Sequence, residues 1–246
     1  MPWTRTTPLA PDHRARLLAA GVDDAVLDEL TGGDRVLRLV EGPLPSWWHE
    51  SGNALYLLDG VRLPERVVEL MAGLPYHDTV VVAASALEHL TCLLIGGDAA
   101  TVFIGPDCYL SAGELYCGGG SSIVLQGDVV ATSRAQVDAR NGGTVVAGRD
   151  QLWAASVYVA TDDMHRLEEV ATGARINPYG AHIRLGEHVW LGRDAMVTGH
   201  VEIGDGSVVG ARSLVRGQKV PAQVAVAGTP ARVVREGVTW SGADLP

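Results

Sequence analysis

Apolar residues return every six positions over the last third of the chain. Leu185, Leu191, Val197, Ile203, Val209 and Val215 form one register, several of them followed by glycine, and a second runs two residues earlier through Ile183, Val189, Ala195, Val201, Ser207 and Ser213. A period of six is too long for strand alternation and does not match helical turns. It fits a coil in which six residues make one short flat strand and one corner, the two inward positions apolar or small. The corner takes residues that tolerate positive φ, and Asp194, Asp205 and Gly206 are placed for it. Successive coils stack, since none buries its own face alone.

A weaker copy lies upstream in Val102/Ile104, Cys108/Leu110, Ile123/Leu125, Val129/Ala131 and Ala135/Val137. It slips at 141–143, resumes with Val145/Ala147 and Val157/Val159, and breaks between Thr161 and His182. An excursion of that size inside a regular coil is usually functional. Before residue 79 the pattern is mixed. Residues 11–30 predict two short helical pieces broken at Gly21, the second capped by Asp23 or Asp24. Pro64–Leu74 predicts a short helix with Pro at its start. Pro43–Glu50, with Trp47 and Trp48 beside prolines, predicts a loop or packing plug. The division expected is an N-terminal region (1–78), a coiled domain (79–240) and a tail (241–246).

The composition agrees: among 246 residues there are 30 glycines and a single phenylalanine. A net charge of −10 excludes general nucleic-acid binding, which needs a basic footprint. No apolar run reaches the 18–20 residues or so of a membrane span, and the N-terminus lacks a secretory apolar core. Cys92, Cys108 and Cys117 have no CxxC spacing. A cytoplasmic protein with reduced thiols is the expectation.

The stretch IRLGEHVWLGRDAMVTGHVEIGDGSVVGARSLVRGQKVPAQVAVAGTPARVVRE resembles the hexapeptide-repeat acyltransferases, which fold as left-handed parallel β-helices. VYVATDDMHRLEEVATGARINP is similar to the loop of bacterial O-acetyltransferases acting on capsular and other sugars, where D-x-x-H precedes R-I-N-P and a V-W-[IL]-G coil follows. The match is strong over 153–240, weaker over 101–152 and absent before. The resemblance implies a mainly β fold and a homotrimer with sites between subunits, moving an acetyl group from acetyl-CoA to a sugar hydroxyl without a metal.

His165 is then the general base, a role for which imidazole is suited because its pKa lies near neutrality. Taken alone, a loop histidine is more simply a surface residue. Trp190 would lie beside the pantetheine arm, with a backbone N–H near it polarising the thioester carbonyl, or it would pack between subunits. Gly192, Arg193, Ala211, Arg216, Lys219, Gly228, Arg232 and Arg235 would hold coenzyme A, the basic ones meeting its phosphates. Trp153, Asp163, Arg175, Asn177 and Tyr179 would contact the acceptor. Asp162 and Asp163 either orient the second ring nitrogen of His165 or are solvated. Relatives commonly read G-A-G-S where this chain has Gly210-Ala211-Arg212-Ser213, so Arg212 either meets phosphate or crowds the groove. Two rival readings are a metal-dependent hydrase of the carbonic anhydrase kind, using His182, His188 and His200, and a non-catalytic β-helix scaffold.

Overall fold

The computed structural model describes residues 4–33, 36–42 and 44–242. Residues 1–3 of the expected N-terminal region, Pro43 of the tryptophan stretch and 243–246 of the expected tail lie outside the described residues.

From Val80 onward the chain winds as a three-sided parallel β-helix, each side one sheet. One coil runs through Ser122–Leu125, Val129–Ala131 and Gln136–Ala139, and Thr144–Ala147 then pairs parallel with Ser122–Leu125, one coil on. The sides are ten-, seven- and six-stranded sheets. All twelve inward positions read from Ile183 to Val215 are at most 2% exposed, so the period did mark the core. Ile183 pairs with Val201 and Leu185 with Ile203, making that coil 18 residues long. Upstream, Ile123 pairs with Val145, a coil of 22. The extra residues sit at the corner entering the ten-stranded sheet, including 140–143 with Asn141 and Gly142 at positive φ, where the register slipped.

Asp194 and Gly206 take the left-handed corner conformation, while Asp205 does not. Arg212 also sits there, at φ 58°, a conformation to which glycine is better suited. Its side chain is 84% exposed and 3.5 Å from Asp194, so it leaves the corner rather than filling it.

The N-terminal strands extend the ten-stranded sheet. Ala54–Leu58 pairs parallel with Val80–Ala83, and Leu37–Glu41 and Thr4–Pro8 add antiparallel beyond it. Helices α1 (Pro11–Ala19) and α2 (Asp24–Gly32) are the two pieces broken at Gly21; Asp23 stands at the N-cap of α2 but its side chain makes no capping bond. The turn between them lies on the outer face of that sheet. Gln126 bonds the Gly21 carbonyl (2.7 Å) and the Asp23 N–H (3.1 Å), and Arg16 bonds Thr101 (2.9 Å) and the Ala100 carbonyl (2.8 Å). Thr101–Ile104 and Ser122–Leu125 are therefore buried throughout, which is why they read as continuous apolar runs. His182–Leu185, beyond the helices, alternates exposed and buried.

The tryptophan stretch is not a loop but a short helix, α3 (Ser46–Glu50), started by Pro45. Trp48 is the plug, fully buried and edge-on to Tyr76 at 5.5 Å. The expected helix after Pro64 forms as α4 (Glu65–Met71). Among the described residues no helix is long and apolar enough to cross a membrane.

Candidate active site

The excursion leaves the six-stranded sheet after Tyr158–Ala160 and re-enters the ten-stranded sheet at His182. It has little regular structure, and side chains fix its path. Asp162, whose side chain is 4% exposed, accepts from Asn141 Nδ2 at 2.5 Å and from the Met164 N–H at 3.1 Å, and faces Arg175 at 3.7 Å. Arg175 lies over the Tyr179 ring, 3.8 Å from its centroid, and donates to the Asn177 carbonyl. Asn177 ties the two limbs together. Its Oδ1 accepts the Leu167 N–H at 2.8 Å and its Nδ2 donates to the His165 carbonyl at 2.7 Å. Across the gap, Arg216 on the strand Leu214–Arg216 donates to Asp163 at 2.9 Å.

His165 is thus held by its backbone, which also bonds the Asp163 carbonyl at 2.8 Å, while its ring is exposed and makes no hydrogen bond among the described residues. Asp162 and Asp163 are both engaged elsewhere and orient no imidazole. Of the acceptor residues expected, Arg175, Asn177 and Tyr179 build the loop and Asp163 lines the space beneath it. Trp153 must be corrected. It is fully buried inside the coil, its indole N–H 3.4 Å from Gln151 Oε1, and it is a core residue.

Trp190 stands outward on the seven-stranded sheet, 37% exposed, between Leu152 and Val208. Its own N–H bonds the Ser207 carbonyl and that of Gly192 the Val209 carbonyl, so neither is left to polarise a thioester. Gly192, Ala211 and Gly228 occupy matching corners of successive coils. A Cβ on Gly192 would come within 2.7 Å of the Ala211 nitrogen, so its bareness serves coil stacking. Arg193 belongs to the same corner, and Arg232 and Arg235 lie on the strand Ala231–Glu236 that closes this sheet. Arg193 and Arg235 make no ion pair among the described residues. Arg216 and Lys219 do not join that group: Arg216 meets Asp163, and Lys219 meets Glu202 at 2.8 Å on the ten-stranded sheet.

The three histidines of the metal reading do not converge. His188 has both ring nitrogens facing acceptors, Asp150 Oδ2 at 2.6 Å and the Trp240 carbonyl at 2.9 Å, while its ring stacks on Trp240 at 4.2 Å. Two acceptors require two ring protons, and the Asp150 bond accordingly raises the His188 pKa. That ring offers no lone pair. Among the described residues no group of His, Cys, Asp and Glu is placed to hold a metal ion.

Below the excursion lies a hollow of about 550 Å³ between Asp163, Leu167, Ile176 and Asn177 on the loop and His200 and Arg216 on the coils. His200 as a wall of this space was missed. It precedes Val201 as His182 precedes Ile183, one coil apart, and that repeat marks a shared corner rather than metal spacing.

Residues 182–217 match the family model described as bacterial transferase hexapeptide, six repeats. The chain carries the hexapeptide repeat of bacterial transferases. This hexapeptide-repeat chain is 34% identical over 101 residues to the putative lipopolysaccharide biosynthesis O-acetyl transferase WbbJ of Escherichia coli (strain K12), covering 38% of this chain and 50% of that protein. It is 25% identical over 142 residues to the polysialic acid O-acetyltransferase of Neisseria meningitidis, covering 49% and 66%. The chain thus spans less than two thirds of either relative. Among solved structures, the polysialic acid O-acetyltransferase OatWY superimposes with a TM-score of 0.59 at 20% identity, over 79% of this chain and 90% of that one. That likeness shows the fold, a mainly β chain built as a left-handed parallel β-helix.

Proposed function

We propose that the protein transfers an acetyl group from acetyl-CoA to a hydroxyl of a sugar or glycan, with His165 as general base. The observation that carries this reading is the excursion, tied to the coils by Asp162 on one side and the Arg216–Asp163 pair on the other. His165 stands on it between Asp163 and Leu167, which line the hollow, with an exposed imidazole that makes no hydrogen bond among the described residues. The named relatives, acetyltransferases of polysaccharides, support the choice of reaction.

Neutral His165 takes the proton of the acceptor hydroxyl as its oxygen attacks the thioester carbonyl. The tetrahedral adduct expels the thiolate, which receives that proton from the imidazolium. The C–S bond breaks, the C–O bond forms, and no covalent enzyme intermediate is needed. The corner of Gly192, Arg193, Ala211 and Gly228, with Arg232 and Arg235, fits the anionic donor, because Arg193 and Arg235 have no acidic partner to displace among the described residues.

Trp190 also belongs to an outward row, Tyr109, Val130, Leu152, Trp190, Val208 and Ala225, that is apolar across six of the seven strands of its sheet, the last strand setting Arg235 opposite Ala225. A row of that kind is suited to packing against another copy, so a homotrimer with Trp190 at the subunit boundary is part of the reading.

The test is thiol release from acetyl-CoA over a panel of sugars and glycans. Wild type releases thiol with at least one acceptor, and His165→Ala abolishes transfer while keeping donor-dependent stabilisation of roughly 2.7 kcal/mol at 100 times the Kd. Transfer by His165→Ala at the wild-type rate would overturn the base, and a monomer at micromolar concentration by light scattering would overturn the intersubunit site.

A further inference from the structure

A second hollow, of about 510 Å³, lies on the bare outer face of the ten-stranded sheet among Thr144, His182, Arg184, His200, Glu202 and Lys219. It shares His200 and Gly217 with the hollow beneath the excursion. The two therefore adjoin at this corner of the coil, one beneath the loop and the other across the sheet. Either part alone has the size of an ordinary small-ligand site.

The charges along these two hollows nearly cancel in pairs. Lys219 meets Glu202 at 2.8 Å, Arg216 meets Asp163 at 2.9 Å, and Asp162 faces Arg175 at 3.7 Å. Arg184 is left over. It is exposed, sits between Val146 and Glu202 in the cross-strand row, and makes no ion pair among the described residues. A guanidinium in this position presents a planar fork suited to a carboxylate.

Next to it, the His182 N–H donates to His200 Nδ1 at 3.2 Å. That bond occupies the Nδ1 lone pair, so the neutral ring of His200 carries its proton on Nε2 and acts there as a donor. His182 Nδ1 is in turn 2.7 Å from Thr144 Oγ1. One unpaired cation and one ring donor thus lie one coil corner away from the loop that carries His165, and Leu167, Ile176 and Val146 offer apolar surface for the C–H faces of sugar rings.

We propose that the acceptor is an anionic oligosaccharide of at least two units. The unit to be acetylated lies beneath the excursion, and its neighbour lies across the sheet with a carboxylate on Arg184 and His200 Nε2. The inference deepens the acetyltransferase reading and rests on it for the identity of the acceptor.

Binding is measured by titration calorimetry on the full chain without acetyl-CoA, using a trisaccharide of hexuronic acids and the same trisaccharide with its carboxyls reduced. The uronate form binds about tenfold more tightly, and Arg184→Gln removes that preference while leaving the reduced sugar unaffected. Arg184 is exposed, so an unchanged melting temperature is expected and checks the fold. Equal binding of the two sugars, binding of neither, or a preference that survives Arg184→Gln overturns the proposal. In transfer assays Arg184→Gln raises the KM for the uronate about tenfold with kcat within twofold. A rise in the KM for acetyl-CoA instead overturns the assignment to the acceptor. If no acetyl transfer occurs but the uronate preference holds, the reaction fails and the uronate site stands.

Discussion

Asn177→Ala removes two hydrogen bonds at once. Asn177 Oδ1 holds the Leu167 N–H at 2.8 Å, and Nδ2 holds the carbonyl of His165 itself at 2.7 Å. Each neutral bond contributes about 0.5–1.5 kcal/mol net, so the pair favours the closed loop by about 1–3 kcal/mol. If transfer requires that loop, the variant loses roughly 5- to 150-fold in kcat/KM. The folding transition stays in place, because the excursion is exposed and hangs outside the stacked core. The assay pairs thiol release with hydrogen exchange, the Leu167 amide serving as reporter of its lost bond. Asn177→Asp separates the two bonds. It keeps an acceptor for Leu167 but sets an oxygen against the His165 carbonyl, so Leu167 stays protected while the rate falls. A rate within twofold of wild type for Asn177→Ala, with Leu167 deprotected, would refute the claim that this clamp positions His165.

Three further outcomes follow from the coil itself. Gly204→Ala places a Cβ 2.4 Å from the backbone nitrogen of Ala222 on the next coil, and overpacking of that kind costs about 1–3 kcal/mol, read as a lower denaturation midpoint. His188, whose pKa is raised chiefly by its bond to Asp150, contributes stability that is complete below its ordinary value of 6.5 and is lost as pH rises through the raised one. The melting temperature of wild type therefore drops more than that of His188→Gln between pH 6 and 9, and parallel curves would remove the latch to Trp240 from the account. Burial pushes the Cys108 and Cys117 thiols up to about 12, and Cys92 is raised less and is partly exposed. A thiol reagent at pH 8 then labels one cysteine slowly in the native chain and three after unfolding, and fast labelling of two or more in the native chain would contradict the packing.

The core was legible where one constraint acts on each residue. In the 18-residue coils every inward position is read by period alone, serines included, since Ser207 and Ser213 are buried and hydrogen-bonded to the next coil. Upstream the same register blurred because coils of 22 residues lengthen the corners and because Phe103 and Val124, although outward, are buried beneath other parts of the chain. That covering could not be inferred from period, which reports only the inside of a coil. The candidate site was legible by motif at His165, Arg175 and Asn177. What motif could not give is division of labour. Asn177 and Arg175 support the loop rather than face the hollow alone, Trp153 points inward because its cross-strand neighbours Ala131 and Leu191 do, and Arg216 is committed to Asp163. His200 was read only as a ligand of the rival metal site, because nothing in a single coil distinguishes a corner that faces solvent from one that floors a cleft.

The place of the site follows from how a coil tolerates insertion. The corner between the six- and ten-stranded sheets holds three residues at 119–121, four at 140–143, twenty-one at 161–181 and two at 199–200. The strands flanking the longest version keep their pairing on both sides, Tyr158 with Met196 and Thr144 with His182, so no ladder is broken to accommodate it. Lengthening a corner from four residues to twenty-one costs about 1.5 kcal/mol of closure entropy on a logarithmic scale. The bonds of Asp162 to the corner above, through Asn141, and of Asp163 to the coil below, through Arg216, are of a size to offset that. Corners stacked in one column therefore supply the anchor, the loop and, at Gly199, His200 and Gly217, the floor. The repeat that builds the core from identical coils also leaves one edge where a coil departs from its neighbours without disturbing them, and His165 stands on that departure.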